Sequence, residues 1–144
     1  AGGQSLDLLF EKKNINKNQI LKMYTMKTAT LFNYSCSSPF ILAQKKKREI
    51  KFAEEFGNLY GLIFQISDDI IDQLENFNFL GKTPGKDLKQ GKSTLISSVG
   101  IKKTIVFCDK LTNDFKKNNK KFFKSWKILD YILTEKINSI KKLA

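Results

Sequence analysis

The chain has 144 residues, of which 41% are hydrophobic, and a formal net charge of +12. This length suits one domain with an adequate core. The chain has no histidine, which counts against histidine acid–base catalysis and hydrolase triads. Its two cysteines, Cys36 and Cys108, are too few for a disulfide framework and predict reduced thiols in a cytoplasmic protein.

The patterning predicts an all-α fold. After a short helical stub at the N-terminus, helices are expected over about residues 16–38, 45–76, 94–117 and 122–142. Pro39 should end or kink the first of them near Ser38. The chain shows no sustained period-two alternation, no apolar run long enough to span a bilayer and no signal-peptide pattern.

The helix over about residues 45–76 is unusually apolar. One stripe recurs at steps of three and four: Phe52, Phe56, Leu59, Ile63, Ile66, Ile70 and Leu74. A narrow polar sector lies roughly opposite and contains Glu54, Asn58, Gly61, Gln65, Asp68 and Asp72. An ordinary surface helix would show a broad charged face instead, so this helix is expected to be largely buried.

Three aspartates interrupt this apolar helix. Carboxylates removed from water are costly unless they are paired or bind a cation, and Asp68, Asp69 and Asp72 also repel one another. Mg²⁺ is usually held by one or two protein carboxylates together with substrate phosphates. Asp68 and Asp72, at i and i+4, project from one face, whereas Asp69 is rotated away by about 100°. Asp68 and Asp72 are therefore the predicted metal ligands, and salt bridges to nearby lysines are the alternative.

A basic loop follows the helix. Four lysines, Lys82, Lys86, Lys89 and Lys92, fall within eleven residues, and its glycines and proline rule out a continuing helix. Such a segment can neutralise phosphate. It is not a P-loop, because the spacing from Gly85 to Gly91 is one residue too long and no strand precedes it.

Four motifs in order carry a family resemblance. They are Gly3-Gln4-Ser5-Leu6-Asp7-Leu8, Lys27-Thr28-Ala29-Thr30-Leu31, Phe64-Gln65-Ile66-Ser67-Asp68-Asp69-Ile70-Ile71-Asp72 and the glycine–lysine steps from Leu80 to Thr94. Together they resemble the second aspartate-rich region of the trans-isoprenyl diphosphate synthases, the polyprenyl synthetase family. The resemblance implies the C-terminal part of that family's helical bundle, with residues 1–144 as one partial domain.

The resemblance also implies roles for individual residues. Asp68 and Asp72 would hold Mg²⁺ that bridges to the diphosphate of an allylic substrate, and Lys27 and Lys82 would reach the same diphosphate.

Two further sets complete the implied substrate site. Gln65 and Gln4 would line the cavity near the reacting carbons, and the Thr28 hydroxyl would help to stabilise the allylic cation. Asp7 belongs to the same motif as Gln4; a surface pair near the chain end is the alternative for these two residues.

The implied reaction is prenyl transfer, the Mg²⁺-dependent head-to-tail condensation of isopentenyl diphosphate with an allylic diphosphate. The family's first aspartate-rich motif and its isopentenyl diphosphate residues do not occur in the chain. The resemblance therefore covers only the C-terminal half of a synthase, and prenyl transfer is not expected of the isolated chain. The intact protein is expected to be a homodimer.

Three alternatives remain open. The first is a complementing or noncatalytic subunit of a heteromeric prenyl synthase. The second is a part of a terpene cyclase of related fold, and the third is a basic helical nucleic-acid binder. Residues 101–144 hold 12 lysines against 4 acidic residues, and such a surface attracts polyanions. These lysines intersperse with apolar positions as on solvated helix faces, so nucleic acid is not predicted as a partner.

Overall fold

The computed structural model describes residue 5, residues 16–79 and residues 94–143. All regular structure in these ranges is helical, as the sequence predicts. The elements are α1 (Lys17–Tyr24), a π-helical segment (Thr25–Ala29), α2 (Thr30–Leu42), α3 (Lys47–Phe79), α4 (Leu95–Val99), α5 (Ile101–Asn118), α6 (Lys120–Ser125) and α7 (Lys127–Lys141). The predicted N-terminal stub and the basic loop lie outside the described residues, apart from Ser5 and Thr94.

Local sequence sets the helix starts. Asn16 caps α1 by accepting a bond from the backbone N–H of Gln19, whose side chain accepts one from Asn16 in return. Thr94 and Ser97 form the same reciprocal pair at α4. Such capping boxes satisfy backbone donors that the first helical turn leaves unpaired.

Helix α3 runs through the centre of the core. Five of the seven residues of its apolar stripe are buried as predicted, with Phe52, Phe56, Ile63, Ile66 and Ile70 each at most 2% exposed, while Leu59 and Leu74 are partly buried. The Phe52 ring stacks on the rings of Phe115 in α5 and Phe122 in α6. The stripe therefore joins α3 to the C-terminal helices.

On its other side, α3 packs closely against α2 and the π segment. A Cβ atom at Gly57 would lie 2.5 Å from the Phe32 carbonyl oxygen, and one at Gly61 would lie 2.6 Å from the Ala29 Cα atom. Only glycine permits this approach of two backbones. The contact fixes the distance between the Lys27–Thr28 pair and α3.

The prediction that Pro39 ends its helix near Ser38 is wrong. Helix α2 continues past Pro39 to Leu42. Pro39 lies on the exposed side, where water can satisfy the Ser35 carbonyl that loses its helical donor. The Ala43 N–H bonds the Pro39 carbonyl at 3.0 Å and closes the last turn.

The last two predicted helices are each divided in the structure. Gly100, with φ of +83°, separates α4 from α5, a backbone conformation that favours glycine. Trp126 separates α6 from α7, and its ring contacts that of Phe40 at 4.9 Å between centroids.

Both cysteines are free thiols. Cys108 is buried, and burial raises the pKa of its thiol to about 12. Cys36 is half-buried, and burial raises its pKa as well. Within residues 16–79 and 94–143, none of the helices has the length and apolar character needed to cross a membrane.

Candidate active site

The Lys27–Thr28 pair lies in the π-helical segment between α1 and α2. A π turn holds one extra residue and often marks a functional site. The extra residue shifts the register of the side chains against α3. The Thr28 hydroxyl donates a hydrogen bond to Gln65 Oε1 at 2.8 Å, next to the close contact between Ala29 and Gly61.

A chain of hydrogen bonds continues from Gln65. The Gln65 Nε2 group donates to Asp69 Oδ1 at 3.2 Å, and the Tyr24 hydroxyl donates to Asp69 Oδ2 in a short bond. The Tyr24 oxygen in turn accepts from the backbone N–H of Leu95 at 3.0 Å. The chain thus links the π segment, α3, α1 and the start of α4.

Asp69 is the carboxylate at the centre of this chain. Burial raises its pKa, while the bonds from Tyr24 and Gln65 and the charge of Lys27 lower it, and the charge of Asp72 raises it again. Asp69 is absent from the predicted site because it is turned from the Asp68 face. Its spacing of four residues from Gln65 is the signal that could have included it.

Asp68 lies beside a different partner. Burial raises the pKa of Asp68, the charge of Lys136 lowers it, and the charge of Asp72 raises it. The Lys136 ammonium, on α7, donates to Ser67 Oγ at 3.0 Å and lies 4.7 Å from the centre of the Phe64 ring. Burial lowers the pKa of Lys136, and Asp68 opposes that shift.

Lys136 is absent from the predicted site because nothing in the local pattern brings α7 to the aspartate helix. Lys136 contacts Ser67 and the Phe64 ring, and its charge acts on Asp68. These three residues are neighbours on one face of a helix. Lys136 therefore rests on the turn of α3 that carries the first predicted metal ligand.

The structure gathers part of the predicted site. Thr28 and Gln65 are hydrogen-bonded, and Lys27 lies close enough to Asp69 to influence its pKa. Asp68 and Asp72 interact electrostatically on the adjoining sector of α3. The predicted residues Gln4, Asp7 and Lys82 lie outside the described residues.

The acidic residues suit a metal ion that is bound by the protein together with a substrate, rather than one that protein ligands enclose completely. In residues 16–79 and 94–143, no three acidic or cysteine side chains gather into a cluster that could enclose an ion. Asp68 and Asp72 supply two carboxylates one helical turn apart, of which Asp68 is half-buried and Asp72 is exposed. Mg²⁺ commonly accepts such a pair and completes its coordination with water and substrate phosphate, so the donor set fits that ion.

Fold and site together define a helical protein with an aspartate sector beside a lysine–threonine pair, and sequence comparison assigns the class. The family model for polyprenyl synthetase matches residues 1–129. The chain belongs to the polyprenyl synthetase family.

Individual relatives are similar over most of the chain. The farnesyl diphosphate synthase of Micrococcus luteus is 34% identical over 114 residues, which cover 78% of this chain and 39% of the relative. The heterodimeric geranylgeranyl pyrophosphate synthase large subunit 2 of Arabidopsis thaliana is 32% identical over 117 residues, 79% of this chain and 31% of the relative. The chain therefore spans well under half the length of these relatives.

A solved structure has the same fold. The geranyltransferase of Helicobacter pylori, complexed with magnesium and isoprenyl diphosphate, superposes with a TM-score of 0.72 at 27% identity. The superposition covers 97% of this chain and 46% of that protein. Similarity over the described residues thus extends from the motifs to the arrangement of the helices.

Proposed function

We propose that the chain supplies the allylic-diphosphate side of a prenyltransferase site. The reaction is the head-to-tail condensation of isopentenyl diphosphate with an allylic diphosphate. The observation that carries this proposal is the bond between Thr28 and Gln65, which joins the lysine–threonine pair to the aspartate helix. The Thr28 hydroxyl then adjoins the helix that carries Asp68 and Asp72, and the charge of Lys27 acts on Asp69 of the same helix. Recognition of a diphosphate and its departing carbon requires a cation, a hydroxyl and carboxylates of this kind.

In this proposal, Lys27 and Lys82 bind the diphosphate oxygens, and Gln4 and Asp7 are further substrate-binding residues. Asp68 and Asp72 hold Mg²⁺, which supplies charge neutralisation for the departing diphosphate when it is bound. The Helicobacter pylori geranyltransferase is complexed with magnesium, which supports that choice of ion.

The reaction breaks the bond between the allylic carbon and the diphosphate oxygen, and the electron pair leaves with the diphosphate. The double-bond electrons of isopentenyl diphosphate form the new carbon–carbon bond. A proton then passes from the resulting cation to a diphosphate oxygen. Lys27 stabilises the negative charge that develops on the leaving group, and Thr28 and Gln65 present oxygens to the carbon that becomes positive.

A homodimer of the intact protein and a cytoplasmic location are part of the same proposal. A complementing subunit of a heteromeric synthase is the second candidate. It is favoured by the Arabidopsis relative, whose name describes one subunit of a heterodimer.

The proposal is tested with a chimera in which this chain replaces the matched region of the Micrococcus luteus relative. Incorporation of labelled isopentenyl diphosphate into an extractable product is measured with dimethylallyl diphosphate and Mg²⁺. We expect product from the chimera and none from the chain alone. Asp68→Ala should lower turnover by roughly a hundredfold or more, because a lost metal ligand removes several kcal/mol.

Asp114→Ala is the matched control, since it removes one carboxylate from an exposed position of α5. It should leave turnover unchanged. A chimera that folds, by its helical circular dichroism, and yet makes no product would contradict the proposed function. Equal activity in the Asp68→Ala chimera would contradict the assignment of that residue.

A further inference from the structure

The hydrogen-bond chain from Leu95 to Thr28 has a single direction. A backbone N–H can only donate, so the Leu95 N–H occupies a lone pair of the Tyr24 oxygen. The Tyr24 proton then points at Asp69. An ionised carboxylate only accepts, so Asp69 must also receive the Gln65 amide through its NH₂ group.

That orientation of Gln65 fixes the next bond. With its NH₂ group facing Asp69, Gln65 turns its carbonyl oxygen toward Thr28, 2.8 Å from the hydroxyl oxygen. The hydroxyl must therefore donate its one proton to Gln65. The Thr28 oxygen therefore presents only its lone pairs to any other group that approaches it.

We propose that Asp69 and Tyr24 are positioning residues that set the polarity of the Thr28 hydroxyl toward a positive carbon. This inference rests on the proposed function, in which an allylic cation forms beside Thr28. An oxygen whose lone pairs are already directed at developing positive charge stabilises it without reorganisation. Asp69 is also partly buried, and its bonds from Tyr24 and Gln65, on two separate helices, hold it in place.

The substitution Asp69→Asn tests the direction of the chain at nearly constant shape. Tyr24 still donates toward position 69, because Leu95 still donates to Tyr24. The new amide oxygen therefore faces Tyr24, and the new NH₂ group faces Gln65. Gln65 must rotate its own amide by half a turn, so that its NH₂ group donates to Thr28. The Thr28 proton then points away from Gln65.

The first experiment measures the Gln65 amide by NMR in the 144-residue chain. In the wild type, nuclear Overhauser effects should connect the Gln65 NH₂ protons to the Tyr24 ring. In Asp69→Asn they should connect to the Thr28 methyl group. Contacts to the Thr28 methyl already in the wild type, or an unchanged pattern in Asp69→Asn, would overturn the inference while leaving the proposed function intact.

The second experiment measures cation preference. The probes are an allylic analogue with a sulfonium centre at the reacting carbon and its uncharged carbon isostere, each titrated with Mg²⁺ and inorganic diphosphate. The wild type should prefer the sulfonium by about tenfold, which corresponds to about 1.4 kcal/mol. Asp69→Asn should reduce the ratio to about one, since the hydroxyl dipole no longer faces the charge.

Tyr24→Phe provides a second variant in case Asp69→Asn does not fold. Tyr24→Phe removes the hydrogen bond from Tyr24 to Asp69, and the preference should fall by about threefold, a partial loss of one hydrogen bond. Tyr34→Phe is the matched control, because Tyr34 is 69% exposed, and it should keep the full preference.

The binding data distinguish failure of the proposed function from failure of the positioning role of Asp69 and Tyr24. If the wild type binds neither analogue, the proposed function and the role of Asp69 in it are both overturned. If the wild type and Asp69→Asn bind both analogues with the same ratio, only the positioning role is overturned.

Discussion

Gly61→Ala tests the close contact that holds the lysine–threonine pair against α3. The added Cβ atom would lie 2.6 Å from the Ala29 Cα atom and 3.0 Å from the Phe32 ring. An ordinary carbon–carbon contact is about 3.5–4.0 Å, so the π segment must move away by about 1 Å. The same movement would stretch the 2.8 Å bond between Thr28 and Gln65 to about 3.8 Å, beyond hydrogen-bond range.

The stability change combines two opposite effects. Replacing a helical glycine with alanine gains about 1 kcal/mol from propensity. Forcing an atom into a packed interface costs about 1–3 kcal/mol, and the obstacle here is backbone, which cannot rotate away. The overlap should outweigh the propensity, so we expect a net loss of up to about 2 kcal/mol in the free energy of unfolding.

Urea unfolding of the chain, followed by circular dichroism, measures this loss, and the NMR signal of the Gln65 amide reports the broken bond. Gly57→Ala offers a spatial comparison, because its clash is with Phe32 and Asn33, farther along α2. It should also destabilise the chain but disturb the Gln65 amide less. A gain of about 1 kcal/mol in Gly61→Ala, as at an unhindered helix position, would refute the packing argument.

Three further outcomes are expected. Phe52→Ala should lower the free energy of unfolding by about 3–5 kcal/mol, since it empties the aromatic centre of the core, and a loss below about 1 kcal/mol in urea unfolding would contradict that position. Because burial raises the pKa of Asp69 above its ordinary 3.8, the folded chain binds this proton more tightly than the unfolded chain. Stability should therefore decline as pH rises through the interval from 3.8 to the raised value, and Asp69→Asn should flatten that decline in pH-dependent unfolding. Cys108, with a pKa of about 12, should resist iodoacetamide at neutral pH until urea unfolds the chain, while equal labelling of folded and unfolded protein by mass spectrometry would argue against its burial.

The central helix was predictable because its burial follows from periodicity alone. Residues such as Phe52 and Ile66 recur at helical spacing, and the structure buries them. The Thr28–Gln65 hydrogen bond also agrees with the family resemblance, which implied that both residues belong to one substrate site. The prediction that the helix ends near Ser38 failed because the steric restriction on the residue before proline is a bias and not a prohibition, and α2 continues to Leu42.

The partners of the aspartates required tertiary structure. Tyr24 reaches Asp69 only because α1 packs beside α3, and Lys136 reaches the Asp68 turn only because α7 folds back along it. Neither contact has a sequence spacing that a motif could encode. Helical periodicity indicated that Asp68 and Asp69 face different directions, and the two side chains have different partners in the structure. It gave no indication that Asp69 would have partners of its own.

Magnesium-dependent binding of diphosphate tests the central claim most directly. Inorganic diphosphate is titrated into the chain by calorimetry, with and without Mg²⁺, for the wild type, Asp68→Ala and the charge-matched Asp114→Ala. We predict binding that weakens by at least about tenfold without Mg²⁺ or in Asp68→Ala, because the diphosphate then lacks either the bridging ion or one carboxylate that holds that ion. Binding should be unchanged in Asp114→Ala. Equal affinity in all three proteins, with no dependence on Mg²⁺, would show that lysines alone attract the anion and would contradict the account.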